Sequence, residues 1–208
     1  MIRTLDPAHR PAREIYAFMI SAIVPRPIAL TSTTDGAGGH NLAPFSFFMG
    51  VASAPPTLAI SLVRRRTGDK KDTLRNIETT GDFTVNMVSE DMAEAMNLTA
   101  MDAPYGEDEF ALAGLTPLAS ERVAAPRVAE APVQMECRLE RVIEVGTQPA
   151  HLILGEVLLF HAREDVLTEG TIDVSRLRPL SRLGGADYAR AGEVFTLPRP
   201  VSQRKGGP

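Results

Sequence analysis

The chain has 208 residues, 44% of them hydrophobic and 23% charged, with a formal net charge of -4 at pH 7. This length and balance fit one ordinary globular domain that buries a core without staples, and they exclude a fibrous repeat or a disordered chain. The mild acidity argues against nucleic acid as a partner, and a single cysteine, Cys137, excludes an intramolecular disulfide.

The first residues are charged and proline-bearing, without the apolar core of a signal peptide. The longest apolar run, Leu152 to Phe160, is broken by Gly155 and Glu156 and is too short to span a membrane. A soluble, cytoplasmic protein is expected. Asp6 and Pro7 open a helix in which Ile15, Phe18, Met19 and Ala22 recur at helical spacing, and Pro25 and Pro27 end it. Residues 27–34, rich in β-branched side chains, predict a strand, with Asp35 and Gly36 as its turn. HNLAPFSFF at 40–48 and TLAISLV at 57–63, separated by a VASAPP bend, continue the strand pattern.

Residues 64–70 read as a charged loop, and Asp69 is the expected N-cap of a short helix that carries Leu74 and Ile77 and ends at Gly81. Residues 83–88 predict a strand. Ser89, Glu90 and Asp91 start a helix with Met92, Ala95, Met96 and Leu98, and a polar, proline-bearing stretch runs on to residue 127. The clearest alternation is at 133–139, where Val133, Met135, Cys137 and Leu139 face a core and Gln134, Glu136 and Arg138 face solvent. A turn at 146–149 sends a second long strand back over 151–161, with Gly155 marking a bulge or a close backbone approach. Many strands and few helices predict a barrel or sandwich with helices on its outside. Residues 1–197 form the expected domain, and 198–208, without an apolar pattern, the expected mobile tail.

GAGGHN at 36–41 superficially matches the glycine-rich dinucleotide fingerprint, but Asn41 stands at the last glycine and the segment lies between strands, so it reads as a hairpin turn. Phosphate-loop, nucleophile-elbow and zinc-helix signatures are absent, and His9, His40, His151 and His161 are too scattered for metal-ligand spacing, so no metal is expected. Cys137 reads as a core thiol. Arg64, Arg65, Arg66, Lys70, Lys71 and Arg75 surround a helix start, where free backbone N–H groups and the helix dipole favour an anion. Asp72 and Thr73 add short polar groups there, so the cluster is either a phosphate site or a solvated loop.

PRPIAL at 25–30, NLAPFSFF at 41–48, the double-proline bend with LAISL, KDTLRNI at 71–77 and FTVN at 83–86 follow one another in a specific order. With HLILGEV at 151–157 and RPLSRLGGADYA at 178–189, the chain resembles the flavoredoxin-like branch of the flavin reductase-like FMN-binding proteins. The resemblance implies a mainly β fold, a Greek-key split β-barrel with a few peripheral helices. It also implies a homodimer that holds FMN in a groove near the subunit interface, with NADH or NADPH as a transient co-substrate. Carried to matching positions, it implies that Thr31, Ser32, Thr33, Asn41, Ala43, Ser46 and Phe47 line the flavin. Arg65, Lys71, Asp72 and Thr73 would bracket its phosphate, and His151, Arg182 and Tyr188 would approach the ring or the nicotinamide, His151 being the one candidate for a catalytic role. Two activities are compatible with this: an NAD(P)H:flavin oxidoreductase passing hydride to flavin N5, or an FMN-binding electron carrier without its own nicotinamide oxidation. A partner oxygenase or an electron-transfer protein would receive the electrons. A split barrel holding some other ligand is the third reading. Few acid or base residues are needed in either flavin reading, because the flavin itself carries the redox chemistry.

Overall fold

The computed structural model describes residues 1–65 and 67–200; Arg66 of the arginine triplet and residues 201–208 of the expected tail lie outside it. At the N-terminus, what the sequence predicts as one helix is two elements. The Asp6 carboxylate caps a single turn, Pro7–His9, and the helix proper, α1 (Ala12–Ala22), begins only after Pro11. Its apolar stripe meets no core: none of its residues is buried, and Phe18 and Met19 are exposed.

β1 (Arg26–Pro27) leads into β2 (Ala29–Thr34), which is buried along its whole length, and then into β3 (His40–Phe45). The glycines of GAGGHN form the hairpin turn between them, with His40 and Asn41 already in β3, and the turn is closed by the Asp35 carboxylate accepting the N–H groups of Ala37 and Gly39 at 2.7 and 2.9 Å. HNLAPFSFF is not one strand. The chain leaves β2 at Ser46, the Phe47 carbonyl accepts the Ser61 N–H at 2.8 Å, and the chain continues as β4 (Phe48–Ser53) against β5 (Pro56–Leu62).

α2 (Asp72–Thr80) starts later than expected. Lys71, not Asp69, holds the N-cap position, and the Asp69 carboxylate instead accepts the Thr67 hydroxyl at 2.8 Å. Leu74 and Ile77 are buried as predicted, and Gly81 stops the helix at φ 74°, a left-handed conformation that costs a residue without Cβ nothing. β6 (Asp82–Met87) follows, then α3 (Ala93–Leu98) after a 3-10 turn at Glu90–Met92. The polar stretch up to residue 127 is more structured than its composition suggests. It holds α4 (Glu109–Ala113), capped by the Asp108 carboxylate and ended by Gly114, and two short strands, β7 (Pro117–Leu118) and β8 (Arg127–Val128).

β9 (Val133–Val145) and β10 (Ala150–Ala162) form the long hairpin. Gly155 sits at a register shift in it, and a Cβ there would lie 2.3 Å from the Phe83 ring. Cys137 is fully buried as the alternation requires, but Gln134 and Glu136 do not face solvent. The 119–128 segment folds over that face, and the fully buried Glu136 accepts the N–H groups of Glu121 and Arg122 and contacts His161 at 2.7 Å. β11 (Leu167–Thr168), β12 (Thr171–Ile172), α5 (Val174–Leu177), β13 (Leu180–Arg182) and β14 (Tyr188–Arg190) complete the chain.

The main sheet is antiparallel with strand order β3-β2-β6-β9-β10-β5-β4, while β1, β13 and β14 make a small sheet beside it. β6 pairs with β2 rather than with its predecessor β5, so the chain crosses from one side of the sheet to the other through α2. The sheet curls until Phe45 on one side and Leu58, Ile60 and Leu62 on the other share a core with Phe83, Cys137 and Ile153, closed by Leu74 and Ile77 of α2. A second core, with Leu30, Leu42, Met92, Met96 and Phe110, lies where α3 and α4 pack outside β2 and β3. Among the described residues no helix is long and apolar enough to cross a membrane.

Candidate functional site

Three cavities, of about 220, 210 and 90 Å³, share Pro44 and Phe45 in their walls and form one groove along β3. The smallest one is polar and is walled by Asn41, Ala43, Arg65, Lys71, Asp72 and Thr73. The cations in it differ in their freedom. Arg65 is engaged by Asp72 at 2.6 Å and Asp102 at 3.1 Å, and the adjacent Lys70 by Glu78 at 2.6 Å. Among the described residues Lys71 makes no ion pair, and it stands where the 90 and 210 Å³ cavities join. Lys71 also occupies the N-cap of α2 and gives the first turn no side-chain acceptor, so a positive helix end and an ammonium group meet in the groove. Asn41 Nδ2 donates to Thr73 Oγ1 at 3.0 Å and ties β3 to this helix start.

Glu109, in the polar, proline-bearing stretch, lines the same cavity. It is 5% exposed and accepts the Leu42 N–H at 2.9 Å. Burial raises its carboxyl above the ordinary value, the Leu42 N–H opposes that, and Asp72 and Asp108 reinforce it. The signal in the sequence was Asp108 before an apolar pair and Gly114, a capped one-turn helix.

The 220 Å³ cavity is walled by Ser46, Asn97, Arg182 and Tyr188. The Arg182 guanidinium lies 4.4 Å above the Tyr188 ring, and the Tyr188 hydroxyl donates to Asn97 Oδ1 at 3.2 Å. The 210 Å³ cavity is aromatic: Tyr16 and Phe47 meet edge to face at 6.4 Å, beside Ser61 and Val63. Tyr16 was not singled out in the sequence, because which face of α1 points at the groove is set by docking rather than by periodicity.

The groove therefore brings together Asn41, Ala43, Ser46, Phe47, Arg65, Lys71, Asp72, Thr73, Arg182 and Tyr188. Thr31, Ser32 and Thr33 stand behind it. All three are fully buried: Thr31 Oγ1 donates to the Ala29 carbonyl, Ser32 to that of Pro126, and Thr33 Oγ1 accepts from Asn76 and Asn41. Their side chains hold the wall rather than form it. His151 is not in the groove lining either. It is 1% exposed on β10, opposite Leu62 and Glu144, and its Nε2 lies 3.3 Å from Glu144 without hydrogen-bond geometry, so both ring nitrogens lack a partner. Among the described residues no three metal-ligating side chains cluster.

A model of the flavin reductase like domain matches residues 20–181. The chain belongs to the flavin reductase-like family. This flavin reductase-like chain is 39% identical to the BH2278 protein of Halalkalibacterium halodurans over 206 residues, 97% of this chain and 99% of that protein. Among solved structures it is similar to nitrilotriacetate monooxygenase component B from Bacillus cereus, at 38% identity and a TM-score of 0.91 over 95% of this chain and 99% of that one. It is also similar to the 2-nitrobenzoate 2-nitroreductase NbaA of Pseudomonas fluorescens, at 29% identity and a TM-score of 0.87 over 99% and 100% of the two chains. The curled sheet is the split barrel of flavin reductases, mainly β with few helices, as the motif order implied.

Within this flavin reductase-like fold, the groove pairs a cationic end with an aromatic and amphipathic one. Such a site suits an elongated ligand with an anionic tail and a flat ring system.

Proposed function

We propose that this chain is an FMN-dependent oxidoreductase of the NAD(P)H:flavin reductase type. The observation that carries the reading is Lys71: a cation without an ion pair among the described residues, set on the open start of α2 at the head of a groove with aromatic walls. FMN has the matching form, a phosphate at one end and a flat ring at the other, and the residues present fit it. When bound, FMN supplies hydride acceptance from NADH or NADPH and onward delivery of the electrons. The chain binds and orients. Lys71 and the first turn of α2 hold the phosphate, with Asn41 fixing Thr73 beside it. Ala43, Ser46 and Phe47 flank the ring, and Arg182 and Tyr188 close the far cavity.

A homodimer is part of the proposal. The outer edge of β4 is bare and uncharged, with Met49 and Val51 exposed, and the Phe18 and Met19 side of α1 is uncovered; both invite a second copy, because natural sheets seldom leave such an edge to water. Sedimentation as a monomer at micromolar concentration would remove this part. An oxygenase as the electron-receiving partner is supported by the similarity to a protein named as component B of a monooxygenase. A reducing cytoplasm suits a chain whose lone thiol is buried.

The test is steady-state oxidation of NADH and of NADPH, each with and without added FMN, alongside the absorbance spectrum of the protein mixed with FMN. Nicotinamide oxidation that depends on FMN is the expected result. A stable yellow complex without nicotinamide oxidation would make the chain a flavin electron carrier, and no complex at all would overturn the flavin reading.

A further inference from the structure

Arg26 lies outside every candidate set read from the sequence, yet its side chain is 5% exposed and its donors are spent in three directions. Nη1 donates to the carbonyls of Ile20 and Ile23, both at 2.6 Å, and so satisfies the C-terminal end of α1. Nη2 donates to the Leu183 carbonyl at 2.8 Å, in the loop between β13 and β14. Nε donates to Ser46 Oγ at 3.3 Å, and the guanidinium lies 5.8 Å from the centre of the Phe47 ring. Each of these three elements supplies a wall of the groove: α1 brings Tyr16, the β3–β4 corner brings Ser46 and Phe47, and the β13–β14 hairpin brings Arg182 and Tyr188.

Among the described residues no other side chain hydrogen-bonds to all three. α1 has no fully buried residue; beside the edge contact of Tyr16 on Phe47, its C-terminal end is where hydrogen bonds fix it to the rest of the fold. There the fit is close: a Cβ on Gly184 would lie 3.2 Å from Ser21 Cβ, so the hairpin loop packs directly against the end of α1. We propose that Arg26 is the positioning residue that locks α1, the β3–β4 corner and the β13–β14 hairpin into one arrangement, and thereby sets the width of the ring end of the groove. This rests on the flavin reading for its ligand but not for its geometry. The planar fork of arginine is what the arrangement requires, since one side chain aims charge-assisted donors at carbonyls of two separate elements while Nε reaches a third.

The experiment combines amide hydrogen exchange with flavin titration on the intact chain, for wild type, Arg26→Met and Arg26→Lys. In Arg26→Met the hydrogen-bonded amides of Ile23, Leu183 and Asp187 are expected to exchange at least about tenfold faster, with β6 amides unchanged. FMN and riboflavin should both weaken, by roughly the same factor of ten or more, since the loss is at the ring and not at the phosphate. Arg26→Lys keeps the charge and one set of contacts, serves as the test should Arg26→Met fail to fold, and should fall between wild type and Arg26→Met in both readouts. Unchanged exchange at Leu183 and Asp187 in both variants overturns the proposal, and so does faster exchange with unaltered affinity for both flavins. If the wild-type chain binds neither flavin, the flavin reading falls, while the exchange data still decide whether Arg26 couples the three walls.

Discussion

Two buried polar clusters flank the same sheet and are finished in opposite ways. Around Glu136, on the outer face of β9, the chain supplies every partner itself: the N–H groups of Glu121 and Arg122, His161 at 2.7 Å, and Arg127 at 3.8 Å. Around α2, at the head of the groove, Asp72 takes up Arg65 and Glu78 takes up Lys70, while Lys71 and the helix start face the cavity. The first cluster is as deep as the second and more complete, and its completeness makes it structural. A ligand site is recognised by what the chain leaves over, here a cation and a helix end, rather than by how many charged residues gather.

Stripping the closed cluster should have the largest effect. Glu136→Ala strands two backbone N–H groups and an imidazole under the 119–128 segment and should cost about 3 kcal/mol of stability, read by urea unfolding, with the FMN affinity of the folded fraction unchanged. The pH dependence has a definite sign. Burial pushes the Glu136 carboxyl up, but the Glu121 and Arg122 N–H groups and His161 outweigh it and hold it below the ordinary 4.5. Its contribution is therefore fully present above 4.5 and lost as pH falls through the lower folded value, so the variant should show a flatter acid limb.

At the open cluster the expected effect is on binding. Lys71→Ala removes a charge-assisted contact worth about 1.5 to 3 kcal/mol, so FMN should weaken roughly ten- to a hundredfold while riboflavin hardly changes. Stability should move by less than about 0.5 kcal/mol, as for an exposed surface change. An unchanged ratio of FMN to riboflavin affinity would return the cluster to a solvated loop.

Smaller effects sharpen the contrast. Cys137→Ala should cost on the order of 1 kcal/mol and leave turnover alone, because burial raises the thiol far above the range in which a thiolate forms. Glu109→Gln should stabilise by less than about 1 kcal/mol at neutral pH, since glutamine keeps an acceptor for the Leu42 N–H. The sign again follows from the shift: a carboxyl raised by burial subtracts stability as pH rises from 4.5 through its folded value, so the variant should lose that decline in a thermal scan across pH 4 to 8. A decline that persists in Glu109→Gln would place its origin in another group.

The sequence made the site only half legible. Lys71, Asp72 and Thr73 could be named because an N-terminal helix turn beside basic residues is a local anion signal. Ser46, Arg182 and Tyr188 came only through the order of family motifs, and Glu109, Tyr16 and Arg26 were missed. Thr31, Ser32 and Thr33 were expected in the lining through the family resemblance, but a strand inside the sheet that is buried along its whole length hides its side chains whatever their polarity.

Neighbouring residues alone decide the GAGGHN turn, the stop at Gly81, the bulge at Gly155, the buried Cys137 and the mainly β class. Each follows from turn chemistry, from the absence of a Cβ or from a period of two, all of which act over a few residues. Tertiary structure alone decided that β4 leaves β3, that Glu136 is covered, and that Arg26 spends its fork on carbonyls of residues 20, 23 and 183. Those outcomes depend on segments far apart in the chain meeting around a curled sheet, and no local pattern encodes which distant donor will reach a given carbonyl.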